Sequence, residues 1–189
     1  EHYAFRQTVE RNKEVLLQSL LKQMLSPGTD AADTLSLSER LGISWKLPYF
    51  RQGFIHVDAA SLIERYSYED VRLIHFAANN IAMELSAEHK AITPILTPES
   101  GIYLIWNVSE PAASYQPLIE FMESVRAKVD HYLKVKAKGF YSEETVLLQH
   151  FDTVYKKLNE CRDDRFYESN PDDEAVAAAG PRAALRPTT

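Results

Sequence analysis

Residues 91–108 read AITPILTPESGIYLIWNV and carry the clearest β-strand pattern in the chain. Two apolar runs rich in β-branched and aromatic residues, 92–96 and 102–106, flank a loop at 97–101 that contains Pro98 and Gly101. This arrangement is typical of a β-hairpin with a five-residue loop. We predict that the hairpin and an earlier strand at 52–58 form a sheet covered by the long periodic helices around them, which gives an α+β domain.

The helices predicted around this sheet rest on apolar residues that recur every three or four positions. They cover 3–25, 29–41, a segment from the cap Ser67 to about residue 85, a segment capped by Ser114, and a last helix capped by Ser142. The apolar stripe of the fourth helix is predicted to include Tyr132. Before the last helix, 134–138 alternates lysine with Val135 and Ala137, which is typical of a strand that protects the edge of a sheet.

The first helix, 3–25, has two interpretations. Some of its residues recur at spacings of three and four, as in a coiled-coil seam that joins two copies of the chain. The seam would contain Phe5, Val9, Asn12, Leu16 and Leu20. About three heptads make a short seam, so the alternative is a helix whose apolar end packs on its own domain.

The composition limits the classes of function. The chain has 189 residues and a formal net charge of -6. This acidic balance disfavours direct binding of nucleic acid, because phosphate contacts need a surplus of Lys and Arg on one face. The chain has no apolar run long enough to span a membrane, and the single Cys161 cannot form an intramolecular disulfide. We therefore expect no membrane contact and a cytoplasmic location.

The motifs of common catalytic and cofactor sites are absent from the sequence. The six glycines form no phosphate-binding loop, and the six histidines include no pair at zinc-ligand spacing. His150 lies about three turns from Cys161 on the predicted last helix, so the two cannot act together as base and nucleophile. We expect no cofactor and no metal.

Four residues remain as candidate ligand-binding positions. His56 and Asp58 are two residues apart on the predicted strand, so their side chains would point to one face, although a single carboxylate gives too few ligands for Mg²⁺ without a substrate phosphate. Asn79 stands beside Asn80 inside a helix, where asparagine is unusual. Solvent exposure, a hydrogen bond to a loop, or a polar site would each explain it. Glu99 is the acidic residue of the hairpin loop.

The order of the predicted elements resembles the catalytic domain of diguanylate cyclases, the GGDEF domains: a strand that ends in Asp58, a helix, a hairpin, a helix, an edge strand and a helix. The resemblance implies that Asp58 stands at the first metal-binding aspartate of that family. Ala60 then replaces the next acidic residue, and Gly101 stands where the catalytic acid would be. Without these acids the resemblance implies no metal cage and no base for GTP condensation, and hence no enzymatic activity.

A closer resemblance is to the degenerate GGDEF-like middle domain of AraC-type two-component response regulators of Gram-positive bacteria. It rests on RNKEVLLQSLLKQML at 11–25, ERLGI at 39–43, YFRQGFIHVD at 49–58, FAANNIAMEL at 76–85 and GFYSEETVLLQHFDTVYKKLNE at 139–160. The resemblance implies a cyclase-like, ferredoxin-like central sheet, mostly antiparallel, with an N-terminal helical extension. We accordingly divide the chain into a helical linker at 1–45, the α+β regulatory domain at 46–170 and a disordered linker at 171–189.

The function implied by the resemblance is a non-catalytic, signal-transmitting domain of a transcription regulator that forms a homodimer through its first helix. The receiver and helix-turn-helix domains of that family would lie outside these residues. A second hypothesis is a nucleotide- or small-molecule-binding sensor with a residual cleft around Asp58, Asn79 and the hairpin loop. A third is direct DNA binding by Lys134, Lys136 and Lys138.

Overall fold

The computed structural model describes residues 2–58, 60–89, 91–97, 101–111, 114–167 and 176–178, except for the side chains of 2–11, 60–61, 162–167 and 176–178. The helices of this part are α1 (His2–Leu25), α2 (Ala31–Arg40), α3 (Ala60–Ile63), α4 (Tyr68–Glu88), α5 (Gln116–Leu133) and α6 (Phe151–Tyr167). The strands are β1 (Tyr49–Val57), β2 (Ile92–Leu96), β3 (Gly101–Val108), β4 (Ala137–Tyr141), β5 (Val146–Leu147) and β6 (Val176–Ala178). A 3-10 turn at Leu148–His150 precedes α6.

The strands form one open sheet in the order β2-β3-β1-β4-β6, and the short β5 pairs with the start of β1. β1 is antiparallel to β3 on one side and to β4 on the other, whereas β4 and β6 are parallel. The predicted hairpin is confirmed, since Ile92 pairs with Trp106 and Leu96 with Ile102. The α+β class and the mostly antiparallel sheet are therefore as predicted.

Side chains alternate across the sheet and form two hydrophobic cores, one on each face. The α4/α5 core contains Ile55, Val57, Ile102 and Leu104 of the sheet with Val71 and Ala78 of α4 and Phe121 and Val125 of α5. The α1/α6 core contains Phe50, Phe54, Tyr103 and Ile105 of the sheet with Leu17, Leu20, Leu21 and Met24 of α1 and Phe151, Val154 and Leu158 of α6. The sheet is thus the middle layer between two helical layers.

The start of α4 follows its sequence closely. Ser67 caps the helix: its Oγ accepts a hydrogen bond from the Asp70 N–H, and the Asp70 carboxylate accepts one from the Ser67 N–H. This reciprocal pair is a capping box, and it satisfies two backbone donors that a helix start otherwise leaves open. The prediction that Ser67 begins this helix is confirmed.

The end of α5 corrects two predictions. The sequence predicts that Tyr132 faces the core, but Tyr132 is 68% exposed, and its neighbour Leu133 packs against the α4/α5 core instead. Lys134 adopts a left-handed conformation that ends the helix, and β4 begins only at Ala137. The alternating segment 134–138 is therefore mostly a connection and not an edge strand, and β6 pairs with the outer side of β4.

The start of α6 is also later than predicted. The sequence predicts that Ser142 caps this helix, but its Oγ accepts a hydrogen bond from the Glu144 N–H within a turn. Val146 and Leu147 then pair with Phe50 and Tyr49 of β1, and α6 begins at Phe151. Because β5 pairs with β1, α6 begins after this strand and not at Ser142.

None of the helices formed by the described residues has the length and apolar character needed to cross a membrane.

Candidate functional site

The carboxyl end of β1 lies beside the start of β3. His56 is opposite Gly101 of β3 on one side and Lys138 of β4 on the other. Asp58 follows the strand, and its N–H donates to the Lys136 carbonyl at 3.0 Å. This end of the sheet brings two of the predicted site residues, His56 and Asp58, close to the hairpin.

The structure separates His56 from Asn79. His56 alternates along β1 with Ile55 and Val57, which belong to the α4/α5 core, so its side chain points to the face of the α1/α6 core. Asn79 is on α4, which covers the opposite face. Glu99 lies outside the described residues. His56 and Asn79 therefore lie on opposite sides of the sheet, and the role of the four predicted residues in binding a ligand stays a prediction.

Asn79 is buried, contrary to the interpretation as an exposed residue, and its neighbour Asn80 is exposed. Its Oδ1 atom is buried and has no hydrogen-bonding partner among the described residues. One turn earlier on α4, His75 is also buried, and neither of its ring nitrogens makes a well-formed hydrogen bond in the described part of the chain, although the Val71 carbonyl lies close to the ring. Residues four apart lie on one helix face, so His75 and Asn79 form a buried polar pair.

The environment of His75 favours the neutral imidazole. Burial lowers the pKa of His75 from its ordinary value, and the backbone carbonyl of Val71 one turn earlier opposes this shift. A neutral imidazole has one donor and one acceptor nitrogen. The His75 imidazole and the Asn79 amide could together recognise a ligand group that both donates and accepts a hydrogen bond.

Gly101 is the position at which the cyclase resemblance places the catalytic acid. A Cβ atom built on Gly101 would lie 1.8 Å from Cζ of Phe54. Phe54 is itself buried in the α1/α6 core, so its ring fills the space that a side chain at residue 101 would need. This position accepts no acidic side chain unless Phe54 moves.

Two buried polar residues of β1, Arg51 and Gln52, were missed as functional candidates. The Gln52 amide donates to the Phe151 carbonyl at 3.0 Å, and its Oε1 accepts a hydrogen bond from the Tyr103 hydroxyl. Burial, and Tyr155 beside it, raise the pKa of Tyr103 well above its ordinary value, so the phenol remains a donor. Gln52 thus links α6 to the sheet. The sequence signal that points to them is a charged residue beside an amide residue within a mainly apolar strand.

The lysines of 134–138 do not form a common strand face. Lys134 and Lys136 precede β4, and the Lys136 ammonium pairs with the Asp130 carboxylate at 2.9 Å. This contact also lowers the pKa of Asp130. The geometric basis for a DNA-binding row of lysines is therefore missing.

A surface groove of about 360 Å³ lies between the end of α1 and α6. Its lining combines Leu25 and Tyr155 with the opposite charges of Asp152 and Lys156, which lie 3.8 Å apart. The lining includes none of the predicted site residues. Within the described ranges, no group of three or more His, Cys, Asp or Glu residues is placed to hold a metal ion.

Neither a scan against models of known protein families nor a search of curated protein sequences finds a match to this chain.

Proposed function

We propose that this chain is a non-catalytic regulatory domain of the kind it resembles, the degenerate GGDEF-like middle domain of AraC-type two-component response regulators. Such a domain would act in the cytoplasm, between a receiver domain and a helix-turn-helix domain. It would transmit a signal by changing how two copies of the chain pack through α1. The observation that carries this proposal is the uneven burial of α1.

The carboxyl half of α1 is fixed to its own domain. Leu17, Leu20, Leu21 and Met24 are all buried in the α1/α6 core. The Gln18 amide also donates to the Leu96 carbonyl at 2.9 Å, which joins α1 to β2. This half of the helix follows the interpretation in which α1 packs on its own domain.

The preceding turn of α1 presents apolar surface to solvent. Val15 is 60% exposed and Leu16 45% exposed, although the helix continues back to His2. An apolar stripe on a helix that extends beyond its own core is the feature through which two copies associate in a coiled coil. Leu16 and Asn12 belong to the predicted seam, whereas Leu20 is used within the domain.

The proposal that the domain is not an enzyme is supported by Gly101 and Phe54. The resemblance to cyclases requires an acid at residue 101, and the Phe54 ring occupies that space. A chain that had kept cyclase chemistry would need both the acid and room for it. The packing of Phe54 favours a scaffold role for the hairpin.

The dimer is tested by the mass of the chain in solution, measured by light scattering for wild type, L16E and L73E. Leu73 is an exposed leucine on α4, 64% accessible, and serves as the matched control. We expect a dimer for wild type and L73E and a monomer for L16E, because a buried unpaired carboxylate would disrupt the seam. A monomeric wild type would contradict the proposal.

A second candidate function is a small-molecule or nucleotide sensor, and the buried polar pair His75 and Asn79 favours it. Unpartnered polar atoms inside a protein are unfavourable, so a bound ligand could supply the missing hydrogen bonds. Calorimetric titration of GTP, cyclic-di-GMP and Mg²⁺ tests this function. We expect heat with one of the nucleotides in wild type and its loss in N79L, with N80L as the exposed control. No heat with any of them would reject the nucleotide form of the hypothesis.

A further inference from the structure

Arg51 is the largest fully buried side chain among the described residues, with 0% of its surface exposed. Its guanidinium carbon lies 3.9 Å from the centroid of the Tyr115 ring and 5.5 Å from that of the Trp106 ring. Burial lowers the pKa of Arg51 and Tyr115 raises it, but the ordinary pKa of arginine is so high that the side chain stays charged near neutral pH. The fold therefore covers a full positive charge just beneath its surface.

The hydrogen bonds of Arg51 go to neutral oxygens. Nε donates to Thr145 Oγ1 at 2.8 Å, and Nη2 donates to the Pro111 carbonyl at 2.8 Å. Nη1 is buried and has no hydrogen-bonding partner within the described part of the chain. A guanidinium carries five N–H donors, so the N–H groups of Nη1 remain without an acceptor.

The acidic residues that adjoin Thr145 and Pro111 in the chain do not pair with Arg51. Among the ion pairs of the described residues, none includes Arg51. Glu144, next to Thr145, pairs with Lys157 at 2.6 Å, and Glu110, next to Pro111, is exposed. Charges buried in proteins are normally paired, because an unpaired buried ion is strongly destabilising.

The two aromatic rings compensate for only part of this cost. The faces of Tyr115 and Trp106 attract a cation, but they offer no strong acceptor to the Nη1 hydrogens. Both the missing negative charge and the missing acceptor would be supplied by one kind of group, an oxyanion. The planar edge of arginine matches carboxylate and phosphate oxygens.

We propose that Arg51 is the anchor of a binding site for a small oxyanion, a carboxylate or a phosphate, which accepts hydrogen bonds from Nη1. Only a thin cover separates this site from solvent: Pro111 is exposed, and Tyr115 and Thr145 are half-buried. The site is distinct from the predicted cleft around Asp58. Arg51 is the third residue of β1, whereas Asp58 and the hairpin turn lie at the other end of that strand.

The test compares sodium phosphate and sodium acetate with sodium chloride at matched ionic strength. The readouts are urea unfolding and the fluorescence of Trp106, one of only two tryptophans. When the free anion concentration is about ten times the dissociation constant, binding lowers the unfolding equilibrium constant by about tenfold. We expect this for phosphate or acetate but not for chloride, and the anion with the larger effect identifies the ligand class.

The variants assign the effect to Arg51. R72M, which removes an exposed arginine of α4, should respond like wild type, and R51M should not respond. If R51M does not fold, R51K replaces it: it keeps the charge without the planar edge, and its affinity should fall at least about tenfold. W106F should lose the anion-dependent change in fluorescence, which assigns that signal to Trp106.

Three results would overturn the proposal. One is an absence of response to both oxyanions in wild type, and another is an equal response to chloride. The third is an undiminished response in R51M or R51K.

Discussion

Gly101 lies at a position where the packing of the core leaves no room for a side chain. A Cβ atom at this position would overlap the Phe54 ring. We expect G101A to destabilise the protein by about 1–3 kcal/mol, the usual cost of overpacking a well-filled core. Urea unfolding measures this free energy.

The control for G101A is a double-mutant cycle with F54L, which shortens the side chain that fills the space. If the ring is the cause, the cost of G101A becomes much smaller in the F54L background. An equal cost in both backgrounds would assign the effect to the backbone and not to Phe54.

His75 makes the stability of the protein depend on pH. Its pKa is lowered in the folded state, mainly by burial, whereas the unfolded chain binds the proton with the ordinary value of 6.5. The contribution of the neutral His75 side chain to the free energy of unfolding is therefore complete above pH 6.5. It is lost as the pH falls from there toward the pKa of the folded state, because the unfolded state takes up more protons.

We expect the urea midpoint of wild type to fall with pH in this range, and the fall to be smaller in H75L. H131Q removes an exposed histidine of α5 and controls for the loss of a histidine as such. Identical pH profiles for wild type and H75L would show that His75 is not held neutral by the fold.

At the scale of single elements, the helix cap of α4 gives the most direct prediction. S67A removes the hydroxyl that accepts the Asp70 N–H, and the loss of such a cap costs about 1 kcal/mol. S19A, an exposed serine within α1, should change the free energy of unfolding by less than about 0.5 kcal/mol. Equal effects of the two substitutions would mean that the capping box contributes no stability.

Elements whose signals are local could be predicted from the sequence. The hairpin and the cap at Ser67 depend on residues close together in the chain, and both are confirmed. The start of α6 could not be predicted in this way, because Ser142 resembles a cap locally. Pairing of β5 with β1, almost a hundred residues earlier in the chain, overrides that local preference.

The candidate sites were less predictable than the fold for a similar reason. Alternation along β1 could be read from the sequence, but it does not tell which face α4 covers, and so the separation of His56 from Asn79 needed the structure. The charge of Arg51 was visible, whereas its burial depends on Trp106 and Tyr115, which are distant in sequence.

At the scale of the whole molecule, the chain depends on α1 to close one of its two cores. The side chains that α1 buries in the α1/α6 core are Leu17, Leu20, Leu21 and Met24. At about 1.5–3 kcal/mol for each buried side chain, their removal costs on the order of 6–12 kcal/mol. This is comparable to the total stability of a typical domain, about 5–15 kcal/mol.

The effect of an N-terminal truncation on folding therefore depends on whether it removes these four side chains. We expect the chain that lacks residues 1–25 to lose its cooperative urea transition. The chain that lacks only 1–11 keeps all four buried side chains and should unfold with a midpoint close to that of wild type, while it loses part of the proposed seam. The shorter truncation thus separates association from folding: it should lower the mass in solution without lowering the midpoint. A cooperative, wild-type midpoint after removal of 1–25 would show that α1 is not part of the core.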